Sequence, residues 1–167
     1  MIARRGLLAA FIALAACSAL PGPTEGPPPR SQKTDRSDGS YDPPLHPNET
    51  PELRAQINHW SDHYDLPRGL VHRLAIREST HRPKARNGPY YGLFQILPQT
   101  ARTMGFDGQP EDLLDAETNL KYALKYLRGA YLVAGRDWDA SIMWYAKGYY
   151  FEAKRQGLLV ETGLRPG

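Results

Sequence analysis

The stretch LPRGLVHRLAIRES, residues 66–79, followed by YYGLFQILPQTA, residues 90–101, decides how this chain folds. Leu66, Leu70, Leu74 and Glu78 recur every fourth residue with Val71 and Ala75 beside them, a spacing that predicts a helix with one apolar face. Glu78 is the exception on that face. Burial penalises the ionised form of a carboxyl and raises its pKa, which suits a general acid that must be protonated near neutral pH. Without other signals, a carboxylate at a helix end would simply pair with Arg77 or Arg82. No Asp or Glu occurs between Ser79 and Phe106, so the local site offers one acid. The second stretch adds a Gly/Gln turn, with Gly92 able to admit a close approach of backbone and Gln95 carrying an amide that both donates and accepts.

Working outward, the signals are helical throughout. Thr50-Pro51 opens a first helix with Leu53, Ile57, Trp60 and Tyr64 on one face. Pro67 opens the second, which must end before Pro83. Pro98 starts a third that Gly105 closes, and Asp115 caps the longest, with Leu120, Ala123, Leu124, Leu127 and Tyr131 in helical register. A last helix is expected from about Asp137 or Asp139 to Gln156, ending at Gly157. Five or six helices and no convincing strand make the fold class all-α, with a groove lined by Glu78, the turn at 92–96 and Tyr145.

Taken together these residues resemble the catalytic domain of soluble-lytic-type lytic transglycosylases, relatives of goose-type lysozyme. The Glu78-Ser79 pair, the run Tyr91-Gly92-Leu93-Phe94-Gln95-Ile96-Leu97-Pro98 with Thr100-Ala101, the segment Asn119-Leu120 with Ala123, Tyr126 and Leu127, and Tyr145 with Gly148 occur in the family's order. The resemblance implies a lysozyme-like fold over residues 49–157 acting on peptidoglycan glycan strands at the MurNAc-GlcNAc β-1,4 bond. It also implies Glu78 as acid then base, 1,6-anhydro products, no cofactor and no metal. Ser79, Tyr91, Gly92, Phe94, Gln95 and Tyr145 are the candidate substrate-binding residues. The family's Asn after the tyrosine is Ala146 here. Two other readings stay open: a hydrolytic muramidase using a second carboxylate such as Asp139 or Glu152, and a non-catalytic peptidoglycan-binding lipoprotein.

Several residues carry weaker signals. Ser79 serves either the carboxyl and substrate or only the local backbone. Phe94 and Ile96 suit a core as well as a sugar platform, and Trp144, Tyr149 and Tyr150 either pack or stack on sugars at the groove rim. His59, His63, His72 and His81 show no metal-ligand spacing and read as surface or packing residues.

The N-terminus belongs to a different class of sequence. Arg4-Arg5 and the apolar run from Gly6 to Ala16 read as an export signal over residues 1–16, too short for a permanent membrane helix. Leu14-Ala15-Ala16-Cys17 resembles a bacterial lipobox. It implies lipidation of Cys17 and, with Ser18 next, a periplasmic enzyme anchored to the outer membrane; the alternative is an incidental cysteine in a cleavable signal. Cys17 is the only cysteine, which excludes a disulfide within the chain. Residues 17–48 read as a disordered tether, since eight of the fifteen prolines fall in 21–48. Residues 158–167 read as a C-terminal tail. The formal charge of +3 drops to +1 without Arg4 and Arg5. That is no nucleic-acid footprint, and the domain is expected to act as a monomer.

Overall fold

The computed structural model describes residues 43–166, so the stretch expected to be an export signal, Cys17 and most of the expected tether lie outside the described residues. The described residues form six α-helices: α1 (Pro51–His63), α2 (Arg68–Ser79), α3 (Pro98–Thr103), α4 (Ala116–Val133), α5 (Trp138–Lys147) and α6 (Tyr150–Gln156). A short 3₁₀ turn, Pro110–Leu114, precedes α4. Strands β1 (Arg86–Asn87) and β2 (Tyr90–Tyr91) form an antiparallel hairpin with Arg86 opposite Tyr91. No described helix is long and apolar enough to cross a membrane.

The caps explain where the helices begin. Thr50 accepts a hydrogen bond from the Leu53 amide, with Pro51 in the first turn. Asp115 and Asp137 do the same for the Thr118 and Ala140 amides. Each such bond satisfies an amide that has no partner within its helix.

The eighteen-residue α4 is the axle of the domain. It packs against α1, α3, α5, α6 and the 3₁₀ turn, and α1 packs on α2 as well. Leu120, Leu124 and Leu127 of α4 are completely buried with Ile57 of α1 and Leu66, Leu70 and Leu74 of the α2 stripe. At the surface, the Trp60 indole donates to Glu117 and the Tyr64 hydroxyl to the Lys121 carbonyl, tying α1 to α4.

Three expectations need correction. The last helix is two: Gly148, at φ 82° and ψ 143°, ends α5, and α6 starts again at Tyr150. That break turns Tyr149 inward, where it is buried and donates to the Tyr126 carbonyl. Its phenol fills the space that a side chain on Gly129 would need; a Cβ there would lie 2.2 Å from the Tyr149 hydroxyl. Second, residues 43–48 are bound to the domain rather than belonging to the tether. The Pro43 carbonyl accepts from Arg54, and Asn48 donates to the Thr80 carbonyl. Third, the segment after Gly157, read as a tail, packs on the domain: Leu158, Leu159 and Leu164 lie against the core and Thr162 is buried.

Candidate active site

The apolar stripe of α2 delivers Glu78 to the edge of the core, on the wall of a cavity of about 740 Å³. Its side chain keeps 21% of its exposure, against complete burial for Leu66, Leu70 and Leu74 three, two and one turns earlier. Burial raises the carboxyl above its ordinary pKa, and Arg77, with Nε 3.5 Å from Oε1, opposes part of that shift. The net shift is toward the protonated form that a proton donor requires.

Gln95 and Tyr145 share the cavity wall with Glu78; Ser79, Tyr91, Gly92 and Phe94 do not line it. The Ser79 hydroxyl donates to the Ala75 carbonyl and accepts the Arg82 amide, so the serine shapes the turn after α2. Tyr91 is buried; its phenol accepts from Arg86, whose guanidinium lies 4.5 Å above the ring. Phe94 is wholly in the core.

Gly92 serves packing of the chain on itself. At φ 73°, a Cβ there would meet the Leu113 carbonyl at 2.2 Å and the Asn119 amide at 2.3 Å. The space a side chain would occupy holds the Asn119 carboxamide, which donates to the Tyr91 and Leu113 carbonyls and accepts the Phe94 amide. This one buried amide satisfies three backbone groups of the turn. Gln95, held at φ 46°, donates to the Ala85 and Gly92 carbonyls, which directs its side chain across the turn.

The Tyr145 hydroxyl donates to the Phe94 carbonyl at 2.9 Å. Burial, then the charge of Glu78, pushes its pKa well above the ordinary value, so the phenol stays neutral. Ala146 and Lys147 follow it along the wall, joined by Arg77, Arg82 and Arg86. Among the described residues the cavity is lined by four cations and a single carboxylate. Three of those cations fall within residues 77–86, and Lys147 joins them from α5. Trp144 packs on the core, whereas Tyr150 is exposed.

The histidines divide in a way their spacing did not reveal. His72 and His81 are buried beside Glu49, and one ligand-type atom from each of the three lies within 4.8 Å of the others. These are the described residues that could hold a metal ion. Both Glu49 oxygens already accept from the Arg54 guanidinium, at 2.6 and 2.7 Å. A dication would therefore face a guanidinium across its own ligand, and the cluster fits an ion-paired polar network better than a metal centre. Burial opposes ionisation of Glu49, but Arg54, the His46 amide and the two imidazoles outweigh it and hold the carboxyl at about 2. Burial is also the largest influence on the imidazoles, lowering His72 to about 4 and lowering His81 as well.

An all-α, lysozyme-like domain with one half-buried carboxylate at the end of an apolar helix defines the class. The chain belongs to the transglycosylase SLT domain family, whose model matches residues 55–158. Its fold is similar to the crystal structure of the 70 kDa soluble lytic transglycosylase of Escherichia coli, with a TM-score of 0.53 and 25% identity over 65% of this chain. The match takes in 18% of that larger protein. A comparison with curated protein sequences gave no match.

Proposed function

We propose that this domain cleaves the glycan strands of peptidoglycan as a lytic transglycosylase, without consuming water. The observation that carries the reading is the single carboxylate on the cavity wall. Glycosidases of the usual retaining or inverting kinds place two carboxyl groups about 5–5.5 Å or 6.5–9.5 Å apart. Asp139 is instead exposed and Glu152 partly buried; both are ion-paired, with Arg73 and Arg155, and neither lines the cavity.

With one acid, the nucleophile comes from the substrate. Protonated Glu78 gives its proton to the glycosidic oxygen as the bond to C1 of N-acetylmuramic acid breaks. The acetamido oxygen of the same sugar bonds to C1. The C6 hydroxyl then displaces it, returning a proton to the Glu78 carboxylate and closing a 1,6-anhydro ring. Arg77, Arg82, Arg86 and Lys147 give the groove a positive field suited to a polymer rich in carboxylates. Ala146 on the wall favours a second reading, a wall-binding domain without turnover, because it lacks the amide of the family pattern.

Digestion of purified sacculi followed by mass spectrometry separates the readings. Anhydro-muropeptides support the transglycosylase, reducing ends from added water would make it a muramidase, and undigested but bound sacculi would make it a binder. Export, lipidation at Cys17 and attachment to the outer membrane complete the proposal. Cys17→Ser should leave the membrane fraction or fail to mature, and unaltered partition would remove the anchor from it.

A further inference from the structure

The chain ahead of α1 and the turn behind Glu78 meet in one polar network. The helix carrying Glu78 does not end on glycine. Thr80 and His81 both adopt left-handed backbone, with φ of 53° and 57°. That region is unfavourable for L-residues, and two in succession persist only where the surroundings over-determine them. They lie two and three residues past Glu78, so the shape of this turn fixes where the last turn of α2 aims its carboxyl.

Part of that constraint is internal: the Thr80 amide donates to the Ile76 carbonyl and the His81 amide to Ala75. The rest comes from residues 46–49. Asn48 donates to the Thr80 carbonyl at 3.0 Å, and the His46 ring lies 4.9 Å from that of His81. His81 Nε2 is 3.0 Å from His72 Nδ1 and 3.9 Å from a Glu49 oxygen. Glu49 is itself fixed by Arg54 and by the His46 amide.

We propose that His46, Asn48 and Glu49 are positioning residues for Glu78, a strap that holds the strained Thr80–His81 turn and through it the catalytic carboxyl. The inference rests on the reading of Glu78 as the acid. It explains why a segment with no atom in the groove is bound so closely to the domain. The titratable and charged groups that line the cavity with Glu78 are Arg77 of α2, Arg82, Arg86 and Tyr90 after it, Tyr126 of α4, and Tyr145 and Lys147 of α5.

The test uses the full chain with Asn48→Ala and His46→Ala, since Glu49→Gln would leave the Arg54 charge poorly compensated and endanger folding. Well below the melting temperature, kcat on sacculi should fall about tenfold in the double variant with KM nearly unchanged. The Glu78 carboxyl, followed by ¹³C NMR, should titrate at lower pH as it gains water. Adding Thr80→Gly, which accepts positive φ without help, should restore both. A melting temperature that falls while kcat and the Glu78 titration stay at wild-type values would reduce the strap to plain stabilisation and overturn the proposal. So would stoichiometric zinc binding abolished by His72→Ala, which would make the cluster a metal centre. If Glu78→Gln remains active, the catalytic reading fails on its own, and the NMR titration still reports whether the strap acts on Glu78.

Discussion

The hydroxyl of Tyr145 donates to the carbonyl of Phe94 at 2.9 Å, fastening α5 to the turn that carries Gln95, 51 residues away in sequence. The tyrosine of the family pattern therefore acts here on the backbone opposite Glu78, and its ring stands edge-on to Tyr126 at 5.4 Å. Tyr145→Phe keeps the ring and strands a buried carbonyl. Stability should fall by about 1–2 kcal/mol, seen as a melting temperature lower by roughly 4 °C per kcal/mol, with a several-fold loss of kcat. An unchanged melting curve would show that the bond contributes nothing.

Glu78→Gln should abolish sacculus lysis and leave the melting temperature at pH 7 equal or higher. Since the folded pKa of Glu78 is raised, its contribution to stability is complete below the unfolded value of about 4.5. It is lost as pH rises through the folded value. Glutamine mimics the protonated form and escapes that loss, yet delivers no proton. For the same reason, wild-type kcat should decline as pH rises through the raised value. Activity within about tenfold of wild type, only ~1.4 kcal/mol of barrier, would assign the acid elsewhere.

Acid should destabilise the domain in two stages. His72 is lowered to about 4, so its contribution is whole above its unfolded value near 6.5 and disappears as pH falls toward 4. Glu49, lowered to about 2, contributes fully above about 4.5 and is lost as pH falls toward 2. His72→Gln should flatten the upper stage in a melting-temperature series from pH 7 to 4. A variant profile parallel to wild type would remove His72 from the account.

Gly92→Ala should cost several kcal/mol, because its Cβ would sit 2.2 Å from the Leu113 carbonyl and displace the Asn119 amide. Urea unfolding measures it. A loss below about 1 kcal/mol would mean the turn relaxes without difficulty.

Ala146→Asn places an amide on the cavity wall. If that amide only orients substrate, activity should rise by the equivalent of about 0.5–1.5 kcal/mol. An equal or lower rate with the fold intact would show that Lys147 or a tyrosine already meets the need.

The sequence disclosed what depends on local period and capping: the α2 stripe, Thr50 and Asp115 as caps, and Glu78 at the end of an apolar face. It did not disclose what depends on contacts distant in sequence. Gly92 reads as an opening for a ligand until Asn119 is seen filling the space, and Gln95 reads as free until its donors reach Ala85 and Gly92. The break at Gly148 was signalled only by one glycine inside a continuous apolar pattern, where packing of Tyr149 decides the outcome. His72 and His81 looked idle because their partner Glu49 lies ahead of α1 in the sequence, directly after a stretch whose prolines suggested tether.

Tyr149 and Gly129 belong to different helical neighbourhoods, yet neither can change alone. A side chain at 129 evicts the phenol, and a smaller residue at 149 opens a void beside a glycine that has no other reason to be there. Related chains should therefore show these two positions varying as a pair, large opposite small. A recombined domain that takes its central helix from one parent and its C-terminal helix from another will fold only where that pairing is kept.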